Sequence, residues 1–121
     1  MALHHKLCHT LGGSFGLPHA ETHAVLLPYT AAFNQSALPA SQADSPIRLL
    51  QLARGIDAPL TLGEIGLRSE DIGRAAVLAS EKQYPNPRRV TREAIEDLLW
   101  AAWRGDESYI ARSQYAAGSR E

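Results

Sequence analysis

"LHHKLCHTLGGSFGLPHAETHAVLLPY", residues 3 to 29, holds all five histidines of the chain and its only cysteine. It holds almost none of the charge. Before residue 44 only Lys6 and Glu21 are formally charged, and every other charged side chain lies later. A helical segment so poor in charge is buried on most of its sides. Leu3 to Leu11 lacks Gly, Pro and any β-branched run, which predicts a helix, and Gly12-Gly13 predicts its end. Pro18 suits the first turn of a second helix, where the N–H it lacks would have no intrahelical partner. That helix is expected to run through Ala24-Val25-Leu26-Leu27 to about Asn34. Pro28 should kink it by depriving the Ala24 carbonyl of its donor.

Beyond this stretch the same grammar continues. "QSALPASQADSP", residues 35 to 46, reads as a polar linker. Pro46 opens a third helix with Ile47, Leu50 and Ala53 on one face and Gly55 as its stop. Thr61, with Glu64 three residues later, fits a capping box. Ser69 predicts a cap, followed by Glu70 and Asp71 at the positive end of a helix with a stripe of Ile72, Ala75, Ala76 and Ala79. "YPNPRR" breaks the chain again. Thr91 caps a last helix with Ile95, Leu98, Leu99 and Ala102 inward and Gly105 at its end. Residues 106 to 121 are polar and weakly patterned, and are expected to form a flexible tail. No stretch alternates at period two, so the fold class is all-α, a bundle of about five helices occupying residues 1 to 105.

The composition narrows the function. A chain of 121 residues is one domain with room for a core. Twelve basic and 13 acidic residues give a net charge of −1, with no basic stripe for nucleic acid and no polybasic segment for a membrane. The start reads as no signal peptide, and no apolar run is long enough to span a bilayer. A single cysteine forms no internal disulfide, so a reducing cytoplasm is the expected compartment.

The histidines carry the chemistry. His5 and His9 are four apart, share one helix face and could chelate one ion, and His19 and His23 repeat that spacing. At the start of a helix the dipole disfavours an imidazolium at His19, leaving its ring available as a ligand or acceptor. The Gly12-Gly13 break before Leu17-Pro18 could fold the second pair back on the first. Taken singly, each histidine reads as a polar residue on a half-exposed helix. Five in one charge-poor stretch read as a site. Cys8 reads as a small buried apolar group and Lys6 as a surface lysine.

The spacing H-x3-H-x9-H, as His5, His9 and His19 around "LGG" and "LPH", resembles the signature of the iron-containing alcohol dehydrogenase family. The full stretch, with "APLTLGEIGL" and "NPRRVTREAIEDLLWAAWRG" later, is similar to the maleylacetate reductase branch of that family. The resemblance implies a C-terminal all-α domain of the dehydroquinate synthase-like fold, with an α/β domain binding NADH or NADPH elsewhere. It implies His5 and His19 as two ligands of a divalent metal, iron or zinc, in those members that carry one. His9 would lie near the nicotinamide and substrate as a proton relay, and all three histidines are candidate catalytic residues. The implied reaction reduces the carbon–carbon double bond of maleylacetate, a small dicarboxylate, to 3-oxoadipate in aromatic degradation.

Two departures accompany the resemblance. The cofactor domain is absent, and "GGSFG", which follows a helix instead of a strand, is no dinucleotide fingerprint; the linker from Gln35 to Pro46 also reads as shorter than the family's connection and without its helix. The chain is therefore expected to be a C-terminal fragment, inactive alone, acting with a missing N-terminal domain or in a homo-oligomer. The alternative is a stand-alone helical zinc module held by His5, His9, His19 and His23.

Overall fold

The computed structural model describes residues 2–35, 46–81, 86 and 88–111. Among these, all regular structure is helical: α1 (Ala2–Phe15), α2 (His19–Gln35), α3 (Pro46–Gly55), a 3-10 turn (Ser69–Asp71), α4 (Ile72–Ser80) and α5 (Arg92–Arg104). The all-α expectation holds. Most of the predicted linker, residues 36–45, lies outside the described residues.

The charge-poor α2 forms the centre. Val25, Leu26, Tyr29, Ala32 and Phe33 are buried along it, and it packs against α1, α3 and α5. The charged helices α3 and α5 thus pack, together with the charge-poor α1, around the charge-poor α2. From α1, Leu3, Leu7 and Leu11 enter the same core at a spacing of four. α4 and α5 close it from the other side. The alanines of α4 (Ala75, Ala76 and Ala79) let α5 bring in Ile95, Leu98 and Leu99, all fully buried.

Local rules explain most boundaries. Thr91 caps α5 by accepting from the Ala94 N–H at 3.2 Å, and Gly105 ends it in the left-handed region at φ 75°. A Cβ at Gly105 would meet Thr61 Cγ2 at 2.9 Å. Gly105→Ala should therefore cost about 1–3 kcal/mol in a urea titration, from both the positive φ and the close approach. Thr61 also accepts from the Glu64 N–H, forming one half of the predicted capping box. Trp103 Nε1 donates to the Leu67 carbonyl at 2.7 Å and pins this loop to α5. The first turn of α1 is satisfied from far along the chain, where Asn86 Oδ1 accepts the Leu3 N–H.

Three expectations need correction. α1 does not stop at Gly12-Gly13 but continues to Phe15, and Gly16, at φ 68°, takes the left-handed turn. Each glycine costs a helix about 1 kcal/mol, less than a single buried leucine of this helix contributes. Ser69 caps nothing with its side chain; it starts the 3-10 turn that leads into α4. Residues 107–111 form a helical turn instead of tail, because Ile110 is fully buried in the core. Residues 112–121 lie outside the described residues.

Candidate functional site

At about 100° per residue, α1 places His4 and Cys8 on one side and His5 and His9 on the next. The packing of Leu3, Leu7 and Leu11 fixes the rotation. His4 and Cys8 fall inside, 7% and 3% exposed, while His5 and His9 face solvent. On α2 the same spacing aligns His19, His23 and Thr30. The turn at Gly16-Leu17-Pro18 folds α2 back so that this row meets α1. The Leu17 N–H bonds to the Leu11 carbonyl, and the Pro18 carbonyl accepts the Thr22 N–H, the first bond of α2.

Four of the five imidazoles converge. The His23 ring centroid lies 4.9 Å from that of His4, 4.4 Å from His19 and 6.5 Å from His5. The predicted fold-back therefore occurs. His9, one turn further along the outer face of α1, is exposed and lies beyond these ring contacts. His5 and His19, the two imidazoles assigned to a metal by resemblance, are both exposed and both edge onto His23.

Behind them sits a buried chain of polar atoms. Thr30 Oγ1 lies 3.2 Å from the Leu26 carbonyl and donates to it. It can then accept the His4 Nδ1–H at 2.9 Å. That assignment leaves a lone pair on His4 Nε2, which accepts from His23 Nδ1–H at 3.0 Å and faces Cys8 Sγ at 3.6 Å. Burial, with His23 and His5 close by, pushes the His4 pKa down to about 4. Burial also lowers that of His23, with His19 and His5 adding to it, and raises the Cys8 thiol to about 11. At neutral pH His4 is therefore an uncharged ring and Cys8 a thiol.

The folded chain resists protonating His4, whereas the unfolded chain takes up that proton near 6.5. This contribution is present above pH 6.5 and is lost as pH falls toward 4. The urea midpoint in chelator-treated buffer should drop over that window, and more steeply in the parent than in His4→Gln. Equal slopes in the two chains would contradict it.

Sequence reasoning placed His5, His9, His19 and His23 by spacing but overlooked His4. The signal was available: on a helical wheel His4 falls between Leu11 and Cys8, directly beside the arc of Leu3, Leu7 and Leu11.

Comparison with known proteins agrees with this fold. Residues 1–49 match the model of the Fe-containing alcohol dehydrogenase family, C-terminal. Maleylacetate reductase 1 of Cupriavidus pinatubonensis is 53% identical over 114 residues, covering 87% of this chain and 32% of that protein. Maleylacetate reductase 1 of Rhodococcus opacus is 47% identical, covering 88% and 32%. The crystal structure of maleylacetate reductase from a Rhizobium species superposes with a TM-score of 0.81 at 45% identity, covering 87% of this chain and 32% of that one. The chain thus spans about a third of the length of the relatives it matches. An independent zinc module is not favoured, since the whole matched length belongs to larger proteins and His9 stands outside the cluster. By sequence and by fold, this chain is similar to the helical C-terminal third of maleylacetate reductases, and its first 49 residues match the C-terminal part of the Fe-containing alcohol dehydrogenase family.

Proposed function

We propose that residues 1–111 form the substrate-facing helical part of an NAD(P)H-dependent maleylacetate reductase, whose nicotinamide-binding part lies outside this chain. The observation that carries this is the outward histidine face. His5, His9 and His19 are all exposed beside the buried His4 and the half-buried His23, on a chain 53% identical to a maleylacetate reductase. Among the described residues there is no strand on which a dinucleotide site could be built.

Each histidine has a defined task. The reduced nicotinamide adds hydride to one carbon of the double bond, and negative charge develops on the conjugated carbonyl oxygen. His9, exposed and one helical turn from His5, donates the proton that completes the reduction. His5 and His19 hydrogen-bond the charged oxygen, and they are also the pair that would hold a divalent cation, which supplies Lewis-acid polarisation when bound. His23 keeps both rings in place from behind, with His4 and Thr30 anchoring it to the core.

The test is NADH oxidation with maleylacetate, using the chain alone and the chain co-expressed with the N-terminal two-thirds of the Cupriavidus relative. Oxidation is expected only from the pair. Turnover by the chain alone, or a stable pair that binds NADH and does not turn over, would contradict the assignment.

A further inference from the structure

The outward histidines leave His4, Cys8 and the inner edge of His23 without a chemical task, and these three are built like a coordination site. One ligand atom from each lies within 4.8 Å of the others. His4 Nε2 is 3.0 Å from His23 Nδ1 and 3.6 Å from Cys8 Sγ. A tetrahedral zinc centre with N bonds near 2.0–2.1 Å and an S bond near 2.3 Å spaces its donors by roughly 3.3 Å and roughly 3.6 Å. The sulfur is already at that separation from His4 Nε2, the two nitrogens need to part by a few tenths of an ångström, and the Cys8 and His23 ligand atoms lie within 4.8 Å of each other.

We propose that His4 Nε2, Cys8 Sγ and His23 Nδ1 form a metal site for a borderline divalent cation, zinc above all, that clips α1 to α2 beneath the outward histidine face. The donor set, two imidazoles and one thiolate, selects zinc or cobalt over magnesium or calcium. Its outer support is in place. Thr30 fixes His4 by accepting from Nδ1, so Nε2 points its lone pair at the ion, as metal-bound histidines require. Thr30 is itself oriented by the Leu26 carbonyl. On binding, the Cys8 thiol proton leaves to solvent and the bond from sulfur to the ion forms. His23 moves its proton to Nε2, freeing Nδ1. Half-buried His23, lying against exposed His19, leaves an approach from the solvent side.

This site is separate from the pair assigned by resemblance, because it uses neither His5 nor His19, and it does not depend on the reductase reading. It also differs from a self-sufficient zinc module, since its role is to hold together the two helices that carry the outward histidines.

The experiment is a cobalt titration of the full chain, read in the near ultraviolet for the thiolate-to-cobalt charge-transfer band. Cys8 is the chain's only cysteine, so the band reports this residue without any variant. A saturable band at one ion per chain is expected, displaced by zinc. Cys8→Ala should abolish the band, as should His4→Gln, while far-ultraviolet dichroism shows that both chains stay helical. Thr30→Val should keep the band and weaken cobalt by about 10-fold, the loss expected when a ligand's outer hydrogen-bond partner is removed. His5→Gln and His19→Gln should leave the band unchanged. Helical parent chain with no band overturns the proposal, whether or not cobalt binds. A band that survives His4→Gln, or one lost with His5→Gln, overturns this donor set.

Discussion

Replacing His9 with asparagine in the two-part enzyme is expected to reduce kcat by about 10²–10⁴-fold, the contribution of a positioned general acid, with little change in KM. His9 is exposed and lies outside the contacts that unite the other four imidazoles, so its loss removes proton delivery without loosening the cluster. Unfolding of the variant should stay within about 0.5 kcal/mol of the parent, as for other surface changes away from special features. Imidazole is the side chain suited to this work near neutrality. A His9→Asn enzyme that keeps its kcat would remove His9 from the mechanism, and the proton donor would then be sought at His5 or His19.

The largest effect on stability is expected at Leu98. It is fully buried on α5, between Ile95 and Ala102, in the seam closed by α4. Leu98→Ala should cost about 2–5 kcal/mol, since the small alanines across the seam have no side chain with which to fill the cavity. A domain of this size is stable by only about 5–15 kcal/mol, so a fall in Tm on the order of 10 °C is expected. Val77→Ala, on the exposed side of α4 at 42% exposure, is the matched control and should change little. A Leu98→Ala loss below about 1 kcal/mol would mean that α5 does not carry the core as described.

Much of this was legible from residue order because local and tertiary preferences agree in the later helices. For α5 the Thr91 cap, the inward row from Ile95 to Ala102 and the Gly105 stop all point to one answer, and the helix has those bounds. The same holds for α3, which begins at Pro46 and ends at Gly55. Legibility failed where a local signal was outweighed by packing. The glycine pair in α1 is a weak stop, overridden by three buried leucines, and only Gly16 needs the left-handed backbone. Ile110 drew a nominally polar tail into the core.

The candidate site divides in the same way. Fourfold spacing was enough to bring His19 beside His23, whereas His9, four residues from His5, stands outside the ring contacts. Spacing alone could not say which of the adjacent histidines, His4 or His5, turns inward; that is set by the row of Leu3, Leu7 and Leu11, which rolls α1 against α2. Nor does the sequence show that Cys8, rightly read as buried, has its sulfur 3.6 Å from an imidazole nitrogen. Such a contact joins a side chain to its neighbour one turn away only after the helix rotation is set.

The most direct test of the account is a graft. Residues 1–111 would replace the corresponding C-terminal third of the Cupriavidus pinatubonensis relative, and maleylacetate-dependent NADH oxidation would be followed. The hybrid is expected to fold, to turn over maleylacetate and to lose that activity with His9→Asn. A folded hybrid that binds NADH and leaves maleylacetate unreduced would contradict it.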